Sequence, residues 1–330
     1  DKGLILPNFK KILSMKSIIT RAENNYEEIE PWIQWHSVHT GLEFSEHRIF
    51  RLGDGVNCKK KGIHRKLEEI GFTVGAISPM NLKNDLLSAK FFIPDPWTKT
   101  KSDSTWWSKQ ITEILQQKVN DNASSKITFK SGIVLILALI KFAHMKNYFK
   151  YLTLAITSFA GNSWAKALFL DLFISDLYLE LLKKNKPNYS SIFLNAGAHI
   201  QHHYYYNSTV INKQNNPSWY INNNIDPFCE MLKVYDLILG NLLRLNLPII
   251  IATGMSQVVN DKKEFYYRLK NHKRFLDILK IKYLNIATRM SRDFEIYFDN
   301  KDLRDKAFEI LKELKVSKNN INFFEIIEKR

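Results

Sequence analysis

Three histidines that lie within five residues are the densest group of chemically versatile side chains in this sequence. The run His199-Ile200-Gln201-His202-His203 spaces them three and four residues apart, so a helix would put His199 on one face with both partners. Imidazoles placed in this way can share one Zn²⁺-like ion, or can bind a phosphate when protonated. They can also be ordinary histidines that hydrogen-bond to the backbone. The spacing alone leaves these alternatives open.

Two arginines three residues apart form a second candidate group. Arg289 and Arg292 flank Ser291 and precede Asp293 at the start of an expected strand. Guanidinium groups can clamp an anion through paired hydrogen bonds. The alternative is structural, with either arginine paired to Asp293 or to a helix terminus.

Strands that alternate with helices must position these groups. Phe72–Ile77 reads as a buried strand, Ser191–Leu194 as a short strand that delivers Asn195, and Leu247–Ala252 as the most apolar strand, ending at Thr253. This alternation predicts an α/β fold with a mostly parallel sheet flanked by helices, and places ligands at the carboxyl ends of the strands. We therefore expect Asn195, His199, Thr253 and either His36 or His39 to converge at that edge.

The middle of the chain has a different composition. From about Ser104 to Asn185 glycine and proline nearly vanish and apolar residues recur at helical spacing, as at Leu152, Ile156 and Phe159. We predict a helical cap inserted as residues 104–186 between two parts of an α/β core, 1–103 and 187–330. A weaker hypothesis is that this cap docks on a membrane or a partner through its apolar faces.

Bulk composition narrows the classes of partner and compartment. Lys and Arg number 48 against 33 Asp and Glu, giving a net charge of +15 that attracts phosphate-bearing ligands. No basic stripe interleaved with stacking aromatic residues is present, so nucleic acid is not expected as a partner. Two cysteines do not make a disulfide framework, which favours the cytoplasm. The longest apolar run, 132–140, is far shorter than the ~20 residues of a membrane span.

Several short motifs occur in the order found in one superfamily. Leu6-Pro7-Asn8 opens a helix, Thr40-Gly41 ends a segment and is followed by His47, and a later strand delivers Asn195-x-x-x-His199. With these motifs the chain resembles the alkaline phosphatase superfamily, in particular type I phosphodiesterases and nucleotide pyrophosphatases. The resemblance covers most of residues 4–100 and 190–300. It implies an alkaline-phosphatase-like core that acts on phosphate esters.

The departures from the family pattern are as informative as the matches. Asn195 stands where the family has a metal-binding Asp, and Ala252-Thr253-Gly254 stands where it has Asp-His-Gly. The position of the nucleophile falls at or beside Pro31, and Ser37 is the nearest hydroxyl. The family's first strand and its Asp would precede Leu6, so we expect the chain to be incomplete at its N-terminus. The resemblance thus implies a reduced metal site rather than a two-metal centre.

The resulting hypothesis is a hydrolase or transferase acting on a nucleotide or sugar-phosphate, with one Zn or Mn ion as its cofactor. The alternative is a non-catalytic descendant that binds a phosphorylated small molecule or a glycan. The candidate residues are, for catalysis, His199, Ser37 and Arg292; for substrate binding, Arg289, Asn195, Thr253, His36 and His39; and for the metal, His199, His202, His203 and His272.

Overall fold

The computed structural model describes residues 3–21, 25, 28–119, 128–211, 216–217, 220, 225–253, 256–259, 269–288, 294–316 and 320–327. Within these residues the chain forms the following α-helices: α1 (Pro7–Leu13), α2 (Pro31–Thr40), α3 (Phe44–His47), α4 (Ile63–Glu69), α5 (Trp106–Val119), α6 (Phe129–Phe142), α7 (Tyr148–Phe159), α8 (Trp164–Asn185), α9 (Ala196–Tyr204), α10 (Pro227–Leu243), α11 (His272–Ile278) and α12 (Lys301–Lys312). The strands are β1 (Val74–Ile77), β2 (Phe91–Ile93), β3 (Tyr189–Ile192), β4 (Asn285–Thr288), β5 (Phe294–Tyr297), β6 (Lys315–Val316) and β7 (Ile321–Asn322).

The chain divides into two compact units. The first contains residues 1–116 and 127–260, and the second contains residues 117–126 and 261–330. The first unit holds the parallel sheet and the histidine-rich segments. The second holds two small antiparallel sheets, β4–β5 and β6–β7, with α11 and α12.

A three-stranded parallel sheet lies in the first unit, in the order β2-β1-β3. The central strand β1 is buried along its whole length and pairs Gly75 with Phe91 of β2. A Cβ atom at Gly75 would lie 2.4 Å from the Phe91 ring, so only glycine leaves room for that ring at the strand pair. Because the strands are parallel, all three carboxyl ends reach the same edge of the sheet.

The predicted α/β class is confirmed, and the predicted strands at 72–77 and 191–195 correspond to β1 and to the overlapping β3. The strand predicted at Leu247–Ala252 was wrong, because this segment has no strand conformation and Ile250 is 95% exposed. An apolar run becomes a buried strand only when a neighbouring strand accepts its backbone hydrogen bonds. Within the described residues no strand pairs with this segment. The sheet is consequently small.

The segment predicted as a helical cap forms α5 to α8 and contains no strand within its described residues, 104–119 and 128–186. The long helix α8 lies at the centre of this unit and packs against β1, β3, α6, α7, α9 and α10. Its buried side chains Leu168, Leu172 and Leu177 share one hydrophobic core with Ile77 of β1 and Ile93 of β2. The helical segment and the sheet therefore stabilise each other, as the burial of apolar surface requires.

The second unit has its own small core. Leu276, Ile281, Ala307 and Leu311 are buried together between α11, α12 and the β4–β5 hairpin. The strand expected after Arg289 and Arg292 is present as β5, and α12 follows it in the chain. The side chain of Asn300 accepts a hydrogen bond from the backbone of Leu303 and so caps α12. However, β5 pairs antiparallel with β4 instead of extending the parallel sheet.

None of the helices in the described residues combines the length and the apolar content that are needed to cross a membrane.

Candidate functional site

The helix α9 carries the histidine cluster and begins four residues after β3 ends. Asn195 occupies the N-cap position, and the three histidines all lie within this helix. The rings of His199 and His203 lie 4.8 Å apart between centroids, one helical turn from each other. Two imidazoles at this separation can approach a common ion.

His202 and His203 also have hydrogen-bond partners from later in the chain. His203 Nδ1 lies 2.6 Å from the hydroxyl of Tyr220, and His202 Nε2 lies 3.3 Å from the side-chain nitrogen of Gln257. A hydrogen bond at one ring nitrogen orients the imidazole and leaves the other nitrogen available to a ligand. The segment after Thr253 thus reaches α9 through Gln257.

These imidazoles are held in their neutral form. Burial, reinforced by the neighbouring His203 and His202, lowers the pKa of His199 to about 4. Desolvation by the surrounding protein also lowers the pKa of His202 and of His203, although both side chains are exposed to solvent. Neutral imidazole is the form that binds metal ions, whereas charge attraction to a phosphate needs the protonated form. Near neutral pH the cluster is therefore better suited to a metal ion than to direct binding of an anion.

The first turn of α9 is held by hydrogen bonds to a buried acid. The backbone N–H of Ala196 donates to Asp171 of α8 at 2.8 Å. The hydroxyl of Tyr235 on α10 also donates to Asp171, at 2.7 Å, and accepts a hydrogen bond from the N–H of Gly197 at 2.7 Å. Two groups from distant helices thus satisfy the free amides at the start of α9.

Burial determines the protonation state of this anchor, the pair Asp171 and Tyr235. It raises the pKa of Asp171 from 3.8 to about 6, although the hydrogen bonds from Tyr235 and Ala196 favour the ionised form. Burial and the adjacent carboxylate raise the pKa of the Tyr235 hydroxyl well above its usual value, so the hydroxyl remains a donor. The anchor is a carboxylate near neutral pH and a carboxylic acid in mild acid.

A second set of side chains lies where β1 and β2 end. Asn81, four residues after β1, is fully buried and has a left-handed backbone with φ of 56°. Its side-chain oxygen accepts from the N–H groups of Gly53 and Gly55, and its side-chain nitrogen donates to the carbonyls of Trp32 and Arg51. One asparagine thereby ties the start of α2 to the end of β1.

Asp95, two residues after β2, supports Asn81 in turn. It accepts hydrogen bonds from the backbone of Asn81, Trp97 and Thr98 and from the Thr98 hydroxyl. Burial raises the pKa of Asp95 to about 6 despite these hydrogen bonds. The acid is saturated with protein donors, which makes it a structural group at this edge.

The helix α2 brings His36, His39 and Ser37 to the same edge of the sheet. Trp35 packs edge-on against Phe193, just after β3, with ring centroids 5.0 Å apart. His36 Nδ1 lies 2.9 Å from the Asn81 carbonyl oxygen, so this nitrogen carries the proton and donates. The α2 residues thus stand next to the ends of β1 and β3.

Buried histidines continue from α2 to α4. Burial, together with nearby His64 and His36, lowers the pKa of His39 to about 3, and burial lowers that of His64 to about 4. Their rings lie 5.8 Å apart. Within the described residues His36 Nε2, His39 Nε2 and His64 Nδ1 are buried without a hydrogen-bond partner. These neutral imidazoles pack as part of the protein interior.

Ser37 forms a hydrogen bond whose direction bears on its chemistry. Its hydroxyl oxygen lies 2.9 Å from His47 Nε2, and the backbone N–H of Ile49 donates to His47 Nδ1 at 3.0 Å. A neutral imidazole that accepts at Nδ1 carries its proton on Nε2. In that tautomer His47 donates to Ser37 and does not remove its proton, so this pair differs from an activated nucleophile and its base.

The remaining predicted site residues are dispersed. Thr253 lies in an exposed non-regular segment, and His272 begins α11 in the second unit, where its ring contacts that of Phe294. Arg289 and Arg292 lie outside the described residues.

A metal ion would find few ligands at the predicted positions. No group of three or more His, Cys, Asp or Glu side chains in the described part of the chain is arranged to hold one. The pair His199 and His203 therefore fits an ion only if water or a substrate oxygen supplies the other ligands.

The Leu-Pro-Asn motif has a structural role. Asp236 of α10 accepts hydrogen bonds from the backbone of Asn8 and Phe9 and from the Asn8 side chain, which docks α1 on α10. Gly240 allows this approach, because a Cβ there would lie 2.7 Å from Nδ2 of Asn8. The motif and the glycine belong to one contact.

Sequence analysis missed the two residues that anchor α9, Asp171 and Tyr235. One signal was available, because Asp171 is a lone acid within the apolar run 167–174. A buried acid needs hydrogen-bond donors, and free donors of this kind occur at helix starts. Nothing in the sequence identifies Ala196 and Tyr235 as its partners.

No protein-family model, no curated protein and no solved structure matches this chain. The class that the fold and the site define is an α/β chain with a neutral histidine cluster at the carboxyl edge of a short parallel sheet. The resemblance to the alkaline phosphatase superfamily remains a prediction.

Proposed function

We propose that this protein is a phosphoric ester hydrolase or transferase, acting on a nucleotide or sugar-phosphate, whose site is built on α9. The supporting observation is the pair of imidazoles of His199 and His203, 4.8 Å apart and neutral near pH 7, at the carboxyl end of β3. Ligands of open α/β sheets bind at this edge.

One Zn or Mn ion fits this hypothesis. His199 and His203 would hold it, with His202 as a neighbouring donor, and the phosphate would complete the ligand set. A bound ion of this kind supplies Lewis-acid polarisation of a phosphoryl oxygen. The Asp171–Tyr235 anchor would keep the first turn of α9 in place while the ester binds.

The charge and cysteine patterns support the substrate class and the compartment. A net charge of +15 attracts phosphorylated small molecules over long distances. Cys58 and Cys229 are both free and buried, which is typical of proteins from a reducing compartment, and we place the protein in the cytoplasm.

The second candidate is a non-catalytic protein that binds a phosphorylated ligand or a glycan at the same edge. One observation favours it: His47 donates to the Ser37 hydroxyl, so no activated serine nucleophile is assembled there. The two candidates differ in turnover and not in binding.

Metal content and turnover test the proposal together. We expect purified protein to hold about one Zn or Mn per chain and to hydrolyse bis(p-nitrophenyl) phosphate. His199→Ala should lower metal affinity at least tenfold and abolish turnover. Gln201→Ala is the matched control, because residues two apart on a helix face different directions, and it should leave both quantities unchanged.

Each outcome has a defined meaning. Metal-free protein that binds a phosphate ester without turnover supports the binder and ends the enzyme hypothesis. Full turnover in His199→Ala ends the hypothesis that α9 is the site. Protein that holds no metal and binds no phosphate ester contradicts both candidates.

A further inference from the structure

Two consecutive helices of the first unit leave large apolar side chains uncovered. On α6 the exposed residues are Phe129, Ile133, Ile136, Leu137 and Ile140. On α7 they are Phe149, Leu152, Ile156 and Phe159. We call these nine side chains the α6–α7 apolar face. Scattered exposed apolar residues are normal, but a concentration of this kind on two adjoining helices marks an interaction surface.

The geometry of each helix shows that this exposure is one-sided. The buried residues of α6, including Val134, Ala138 and Phe142, face the core, and the exposed residues recur at three- and four-residue spacing on the opposite side. On α7, Tyr151 and Leu154 are buried and the exposed stripe again lies opposite. Both helices pack on α8, so both exposed stripes point away from it.

The composition of α6 is typical of a helix that is buried on all sides. The helix is apolar on both sides, with 69% exposure at Ile140, and helices that are apolar all round are normally buried. Folding within this unit buries only one side. The other side would gain free energy from any apolar surroundings that remove it from water.

The charged residues near the α6–α7 apolar face indicate which kind of partner surface it would contact. From Asn122 to Leu170 the sequence contains no Asp or Glu, whereas Lys130, Lys141, Lys146 and Lys166 are exposed within it. Lys150 is the exception, since it pairs with Glu230 at 3.2 Å. A second copy of this chain that docks through the same face would bring lysines against lysines. An anionic surface would instead be attracted by them.

The rim of the face has the residues of a membrane interface. Lys141 lies over the ring of Trp107, 5.7 Å from its centroid, and the exposed Trp106 packs edge-on against Trp107. Tyr148 is exposed at the start of α7. Amphipathic aromatic and basic side chains are enriched at the level of lipid headgroups.

We propose that the α6–α7 apolar face docks in the interface of an anionic lipid bilayer. At about 1.5 Å per residue, the 14 residues of α6 extend roughly 21 Å and cannot cross a hydrocarbon core of about 30 Å. The helices therefore lie in the plane of the interface, with apolar side chains inserted and lysines at the headgroups. This inference is independent of the proposed catalytic function.

Vesicle flotation with the full chain tests the inference. The probes are vesicles of phosphatidylcholine alone and vesicles containing about 30% phosphatidylserine. We expect binding to the anionic vesicles that weakens as salt rises from about 0.1 to 0.5 M, because screening acts on the lysines. Binding to the neutral vesicles should be at least tenfold weaker.

Substitutions separate insertion from charge attraction. Ile140→Asn with Phe149→Asn should reduce binding to anionic vesicles at least tenfold, and Lys130→Glu should reduce it several-fold. The matched control is Leu87→Asn, which removes an equally exposed apolar side chain, 82% exposed, in the loop between β1 and β2. The control should bind like the wild type.

Three results would overturn the inference. The first is a folded wild type that binds neither kind of vesicle. The second is unchanged binding by the Ile140→Asn, Phe149→Asn variant. The third is a wild type that sediments as a dimer and becomes monomeric on the same substitution, since a second copy would then cover the face. Circular dichroism of each variant verifies that it is folded.

Discussion

Removal of the Tyr235 hydroxyl is the sharpest test of how the candidate site is held. Tyr235→Phe leaves the ring in place but deletes the donor to Asp171 and the acceptor for the Gly197 N–H. A hydrogen bond to a charged group contributes about 1.5–3 kcal/mol and a neutral one about 0.5–1.5 kcal/mol. We expect the free energy of unfolding to fall by about 2–4 kcal/mol at pH 7.5.

The pH dependence of this loss follows from the pKa of Asp171. Burial raises that pKa to about 6, and the Tyr235 hydrogen bond opposes the rise. Without the hydroxyl the pKa of the folded state moves higher still. An acid with a raised pKa in the folded state loses stability as the pH rises through that value. The effect of Tyr235→Phe should therefore be largest above pH 6 and shrink to about 1–2 kcal/mol at pH 5.

The control is a second tyrosine with a simpler environment. The Tyr178 hydroxyl of α8 forms a hydrogen bond with a neutral group, the Ser190 hydroxyl at 2.7 Å, so Tyr178→Phe should cost about 1 kcal/mol at both pH values. Urea unfolding followed by tryptophan fluorescence reports on the first unit alone, because residues 117–126 and 261–330 contain no tryptophan.

Two results would refute the reasoning about the anchor. One is a loss for Tyr235→Phe that equals the loss for Tyr178→Phe at pH 7.5. The other is a loss that does not shrink between pH 7.5 and pH 5. In either case Asp171 would not be the charged partner that positions α9.

Two further predictions concern packing and protonation. Gly240→Ala should lower the free energy of unfolding by about 1–3 kcal/mol, because the added Cβ would lie 2.7 Å from Asn8. In the control Gly132→Ala the added Cβ meets nothing within 4 Å, so this variant should stabilise α6 by about 0.5–1 kcal/mol. Equal urea midpoints for the two variants would contradict this prediction. The pKa of His64 is lowered from 6.5 to about 4, so the unfolded chain binds its proton first and stability falls as the pH drops through that window. His64→Gln should remove up to about 3 kcal/mol of this loss of stability. The urea midpoint of the variant should therefore change less between pH 7 and pH 4.5 than that of the wild type. An unchanged pH dependence of the midpoint would show that the imidazole is not buried in its neutral form.

The parts of the fold that sequence reasoning predicted depend on local signals. Gly62 and Gly71 flank α4, and Asp226 stands directly before Pro227 at the start of α10, where its side chain caps the backbone. The spacing of the histidines indicated that a helix would place His199 beside its two partners. Each of these features is encoded within a few residues of where it acts.

The parts that could not be predicted depend on distant partners. Leu247–Ala252 is apolar enough for a buried strand, but a strand also needs a neighbour for its hydrogen bonds, and the sequence does not say whether one exists. Asn81 and Asp171 are likewise recognised only in the folded chain, because their partners lie up to 49 and 64 residues away. The residues that position α9 and the end of β1 therefore could not be recognised from the sequence.

One helix connects the two surfaces to which we assign roles. The inner side of α8 provides Asp171, which holds the first turn of α9 and hence the histidines. The same helix supports α6 and α7, whose outer sides form the α6–α7 apolar face. Most of α8 is buried, so this helix packs closely against the elements on both sides of it. Docking of α6 and α7 on a bilayer would therefore set the orientation of the α9 histidines relative to that surface.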